Sequence, residues 1–169
     1  KPLDDTYWPN SYAVQNYFFM IKDMPRDPEW LEDEGDICVE EVICKNSLLE
    51  IDPESTEPPD PQELADAKGW FLPLDQDPDQ NLHEQVVTSA ITVYGNTTFS
   101  THLPASPETG ACTSNLGTAR VYNINFLTAE ARKGPDGQPL PRYQAVSGGG
   151  LPPSPVAGKA KHVEFLLDD

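Results

Sequence analysis

Apolar residues along this chain come in short β-branched and aromatic runs set apart by proline and glycine, and helical periodicity is weak throughout. The first run, "SYAVQNYFFMIKD" (11–23), predicts a strand. From Met24 to Lys68 the pattern breaks down: "PRDPEWLEDEGD" and "DPESTEPPDPQELADAK" are acidic and proline-broken, unable to bury much, and "CVEEVICKNSLLEI" alone is expected to pack, as a short helix or strand. From Gly69 the strands come quickly. "GWFLPL" (69–74) is followed by a polar turn and by "HEQVVTSAITVYGNTTFSTHL" (83–103), which divides at Gly95-Asn96 into two runs that a tight hairpin joins. "TARVYNINFLTA" (118–129) predicts another strand, "KGPDGQPLP" (133–141) a turn, and "VAGKAKHVEFLLDD" a closing strand.

Short strands about ten residues apart predict an all-β protein: a sandwich, a barrel or propeller blades. A four-stranded blade takes ~40–50 residues and the smallest propellers have about four blades, so the chain holds at most two or three. The expected organisation is a first blade strand or strands in 1–23, an acidic, proline-rich insertion in 24–67, and propeller blades in 68–169. A propeller of that size needs the remainder of its blades from elsewhere. The sequence starts at Lys1 rather than Met and stops just after an apolar run, as a fragment or processed product would.

Composition narrows the partners. The 169 residues carry 28 acidic and 11 basic side chains, a formal net charge of -17, and a surface of that sign repels nucleic-acid phosphates and anionic headgroups. No apolar run approaches the ~20 residues of a membrane span. The acidic stretch 27–66 is expected to be a solvated loop or a surface for a basic partner. Of the three cysteines, Cys38 and Cys44 are the natural pair, as a disulfide if "CVEEVIC" turns back on itself and otherwise as two buried thiols. Their spacing without a nearby histidine argues against zinc.

The blocks "NYFFMIKD", "KGWFLPL", "HEQVVTSAITVYGNTTFSTHLP", "CTSNLGTARVYNINFLTAEA" and "GGGLPPSPVAG" occur in an order that resembles the C-terminal part of the PilY/PilC proteins of type IV pili. They cover most of the chain outside 24–67. The resemblance implies a modified β-propeller and a secreted, pilus-associated protein without catalysis. Such a protein would act in pilus assembly or retraction and in surface adhesion, with pilins or minor pilins as partners at the cell surface. Two departures stand out: the family's calcium loop has no clear counterpart, and its N-terminal adhesive region is absent.

The candidate chemistry is sparse. "GGGLPPSPVAG" has neither dinucleotide nor P-loop spacing, and Pro152, Pro153 and Pro155 forbid a phosphate-binding helix, so it is read as a turn entering the last strand. Asp75, Asp77, Asp79 and Asn81 alternate as the start of a calcium loop does, and they are the metal candidates. Gln80 and Val86 stand where an EF-hand loop places Gly and Glu, so a solvated turn is the competing reading. His83, His102 and His162 lie on separate segments with no catalytic spacing, and no serine sits in G-x-S-x-G. Trp70, Phe71, Tyr94, Phe99, Tyr122 and Phe126 are expected core aromatics. Asn96-Thr97-Thr98, a formal glycosylation acceptor, is read as a hairpin tip. The expectation is a non-enzymatic exported protein with no certain cofactor. The alternatives are an extracellular calcium-dependent binding module and, from fold outline alone, a quinoprotein-like enzyme fragment.

Overall fold

A computed structural model describes residues 15–32, 34–38, 42–77, 82–105 and 116–157. Ten strands are numbered in chain order: β1 (Tyr17–Ile21), β2 (Leu49–Glu50), β3 (Gly69–Pro73), β4 (Gln76–Asp77), β5 (Leu82–His83), β6 (Gln85–Val86), β7 (Ile91–Val93), β8 (Asn96–Leu103), β9 (Thr118–Asn125) and β10 (Tyr143–Val146). Two short helices, α1 (Glu34–Ile37) and α2 (Pro61–Asp66), and a 3-10 turn at Lys45–Ser47 complete the elements. The described chain is mostly strand with very little helix, the all-β class expected from the sequence.

The strands form one sheet in the order β1-β3-β2, a second in the order β10-β9-β8-β6 with β7 also on β8, and a β4-β5 ribbon. In the first sheet β3 lies antiparallel to β1 and parallel to β2. A Cβ on Gly69 would collide with the Met20 carbonyl, so the close approach of β1 to the start of β3 requires glycine. In the second sheet β8 and β9 pair along their full lengths, from Asn96 opposite Asn125 to Leu103 opposite Thr118.

The two larger sheets meet over a core of Trp70, Leu72, Leu74, Phe99, Tyr122 and Ile124, with Phe18 and Met20 packed against it. Aromatic rings run through it as a column. Phe18 stacks on Phe99 at 3.9 Å and Phe99 on Tyr122 at 4.8 Å, Tyr122 tilts against Tyr143 at 5.3 Å, and Arg120 lies 4.5 Å over the Tyr143 ring. Each such ring pair contributes roughly 1 kcal/mol beyond the area it buries. Trp70 closes the other end, donating its indole N–H to the Phe126 carbonyl at 2.9 Å.

Several expectations are corrected. The acidic stretch packs where "CVEEVICKNSLLEI" was expected to, with Ser47 and Ile51 buried and β2 extending the first sheet, but Leu64, in the proline-broken part expected to bury little, is buried as well. Its anchor is Arg142, itself buried, whose guanidinium donates to the carbonyls of Asp52 (3.1 Å), Ser55 and Glu57 (2.8 Å) in the stretch and of Ala129 (3.1 Å). Backbone carbonyls rather than side chains hold this segment, so hydropathy gives no sign of it.

The hairpin tip falls at Tyr94-Gly95, one residue before the expected division, with both residues at positive φ (48° and 83°) as the twist of a two-residue turn demands. Tyr94 is fully exposed rather than in the core. The run before it breaks into β5, β6 and β7. The Gly148–Gly150 turn leaves β10, a strand the sequence reading passed over, and the closing run from Gly158 onward lies outside the described residues.

Candidate functional site

The most concentrated polar chemistry surrounds Glu84, a residue between β5 and β6 that the sequence reading did not single out. Its side chain is fully buried. One carboxylate oxygen accepts from the Thr101 hydroxyl and, at 3.2 Å, from the Tyr122 hydroxyl; the other accepts from the Asp75 N–H at 2.8 Å and from Arg120 Nη1 at 3.0 Å. Arg120 Nη2 reaches Asp75 Oδ2 at 2.8 Å. Burial opposes the charge on Arg120, but Glu84 and Asp75 outweigh it and hold the guanidinium well above its ordinary range. Burial, then the Glu84 charge, pushes the Tyr122 phenol upward as well.

Strand register assembles this cluster: Thr101 stands opposite Arg120 across β8 and β9, and Tyr122 follows two residues on along the same face. Every acceptor direction of Glu84 is occupied by a donor of the chain itself. The arrangement works as a clamp that ties the β4-β5 ribbon to the core of the second sheet.

Of the four calcium candidates, Asp75 is exposed and paired with Arg120, and Asp77 lies in β4 opposite Leu82 of β5. Asp79 and Asn81 lie outside the described residues, in the connection between those two strands. No group of metal-ligating side chains is assembled among the described residues. His83 lies in β5 and His102 in β8, where its Nε2 donates to the Leu116 carbonyl at 2.7 Å; His162 and Cys112 lie outside the described residues.

A disulfide joins Cys38 to Cys44 across a Cα separation of 6.0 Å. "CVEEVIC" thus turns back on itself, the condition set by the sequence. The Ser47 hydroxyl, buried beneath the bridge, accepts from the Cys44 N–H at 3.0 Å and fixes the start of the 3-10 turn.

What the molecule offers outward is surface. No protein-family model, curated protein or solved structure matches the chain. On the face of the first sheet turned from the core, Tyr17, Phe19 and Phe71 form a ring cluster with centroids 5.5–6.0 Å apart. Lys45 lies 4.2 Å over the Tyr17 ring and 4.7 Å over Phe71. Phe71 is buried by these neighbours, whereas Phe19, Ile21 and Met24 remain 46%, 54% and 49% exposed. Among the described residues β1 pairs with β3 alone, so its outer edge carries unpaired backbone beside this apolar row. The sequence signal was the two-residue alternation of "YFFMI", which puts Phe18 and Met20 on one face and Tyr17, Phe19 and Ile21 on the other. Both faces are apolar.

Proposed function

We propose that this chain is a non-enzymatic, exported β protein, supplying two or three blades of a PilY-like propeller that acts in type IV pilus assembly or retraction and in surface adhesion. The order of its sequence blocks motivates the reading. The single observation that supports it best is that, among the described residues, β1 has no strand on its outer edge while Phe19, Ile21 and Met24 lie exposed beside it, since a monomeric soluble domain seldom leaves an apolar strand edge uncovered. The partner is then the remainder of the propeller, on the same or another chain, with pilins or minor pilins as the further ligands. A disulfide between Cys38 and Cys44 suits the oxidising compartments outside the cytoplasm.

Native mass spectrometry of the material from its source, with and without reductant, tests the proposal. A heavier parent containing this sequence, or a second β-rich polypeptide bound to it, is expected. A lone species near 18.7 kDa that melts cooperatively as a monomer would overturn it.

Asp77 of β4 directly precedes in sequence the connection to β5 that carries Asp79 and Asn81, and this keeps a calcium-dependent binding module as the alternative. A rise in melting temperature on calcium titration would favour that alternative, because a ligand of the native state stabilises it.

A further inference from the structure

At the tip of the β7-β8 hairpin, Asn96 opens β8 directly after the Tyr94-Gly95 turn. It begins Asn96-Thr97-Thr98, the one Asn-x-Ser/Thr in the sequence, and Thr97 meets the requirement that the middle residue not be proline. A three-residue pattern arises often by chance, so the surroundings decide what it means.

Other asparagines are committed to the fold. Asn16 donates its side-chain amide to the Glu84 carbonyl at 2.9 Å, and Asn125 Oδ1 accepts from the Leu127 and Thr128 N–H groups at 2.9 and 3.0 Å. The Asn96 side chain makes no hydrogen bond among the described residues and is half-buried. Asn96 and Thr98 share one face of β8, as residues two apart in a strand do, and with Ile91 and Val93 they border a shallow groove of about 310 Å³. Thr97, between them, turns to the other face and is buried. The acceptor nitrogen and the hydroxyl that the motif requires therefore face the same open surface.

The turn before Asn96 points the same way. A bulky residue seldom takes a positive φ, yet Tyr94 does so at 48° while fully exposed, two residues ahead of Asn96. Core packing gives no reason for an exposed ring in a strained turn. A phenol has an apolar face and a hydrogen-bonding end, the two surfaces that the C–H face and hydroxyls of a sugar on Asn96 would meet.

We propose that Asn96 is an N-linked glycosylation site whose oligosaccharide lies over the tip of the β7-β8 hairpin, against Tyr94. The donor is an oligosaccharide joined through diphosphate to a lipid. The Asn96 side-chain nitrogen bonds to the anomeric carbon, the bond from that carbon to the phosphate oxygen breaks, the amide gives up one proton and the lipid diphosphate leaves. The Cys38–Cys44 disulfide suits the exported chains on which such transfer occurs. The acceptor stands whether or not the chain belongs to a pilus.

Peptide mass spectrometry of the full chain from its native source tests it. The peptide spanning Asn96 is expected to be heavier than its sequence by whole sugar residues, with fragment ions placing the added mass on the Asn96 side chain. Produced in the same source, Thr98→Ala should lose that mass and Thr98→Ser should keep it, because transfer needs a hydroxyl two residues after the asparagine. Near-UV circular dichroism of the buried Trp70 verifies that each variant is folded, and if one is not, the wild-type spectrum decides alone. An unmodified Asn96 in the native material overturns the proposal, as does added mass that persists in folded Thr98→Ala or that maps to the hydroxyl of Thr97 or Thr98.

Discussion

Glu84 and Asp75 share one arginine yet should differ greatly in worth. The Glu84 side chain is 1% exposed and that of Asp75 45%. Glu84→Ala removes the buried partner of Arg120, leaving it only the exposed Asp75, and leaves the Thr101 and Tyr122 hydroxyls without their acceptor, so it is expected to cost about 3–5 kcal/mol in urea denaturation, whereas Asp75→Asn should cost under about 1 kcal/mol. Equal costs would mean that burial does not set the strength of this cluster. Tyr143 adds a dependence on pH. Burial, then a hydrogen bond to the Glu54 carboxylate, pushes its phenol up to about 12 from an ordinary 10.0. A phenol that keeps its proton longer when folded contributes stability that is intact below about pH 10 and lost as the pH rises through about 12. Chain stability measured by urea at a series of pH values is expected to fall over that window, and less steeply in Tyr143→Phe. None of this was legible beforehand: "NLHEQVV" gives Glu84 no pattern that separates a buried carboxylate from an ordinary surface one, because what buries it is the register of β8 against β9.

At the scale of elements, the sequence was most informative where a strand's own side chains settle its pairing. "NYFFMIKD", "GWFLPL" and "ARVYNIN" became β1, β3 and β9 because β-branched and aromatic residues fit a pleated, half-buried surface. It was least informative where one distant residue decides. Helix α2 has no apolar stripe to announce it; Asp60 caps it by accepting from the Gln62 N–H at 2.8 Å and the Glu63 N–H at 3.2 Å. At its other end Lys22 donates to the carbonyls of Leu64, Ala65 and Ala67. Desolvation there lowers the Lys22 pKa, but three carbonyls compensate its ammonium. Asp60→Ala is expected to cost about 1 kcal/mol, the usual worth of such a cap, and circular dichroism melts would register it as a modest drop in melting temperature. The disulfide between Cys38 and Cys44 closes a short loop, with a sequence separation of 6, so its entropic contribution stays near the low end, about 2 kcal/mol. Reduction should therefore loosen the segment around Ser47 without unfolding the sheets, and a global collapse of the β signal on adding reductant would refute that.

For the whole molecule, the decisive question is how a chain with a formal net charge of -17 keeps its most acidic stretch against its core. Side-chain ion pairs would be the familiar answer and would weaken as salt screens them. Arg142 gives a different one, because the carbonyls of Asp52, Ser55 and Glu57 receive its guanidinium and the exposed Asp52 and Glu57 carry their carboxylates toward solvent. Added salt then screens the mutual repulsion of the carboxylates while leaving hydrogen bonds to backbone nearly untouched. Raising sodium chloride should accordingly slow cleavage after Glu54 by a glutamate-specific protease or leave it unchanged. Arg142→Lys keeps the charge but loses the planar fork that serves four carbonyls at once, and it should raise the cleavage rate about tenfold or more at every salt concentration. Cleavage that accelerates with salt in the wild type would show that carboxylate pairing holds the stretch after all, and that the acidic surface is a folded part of the molecule only at low ionic strength.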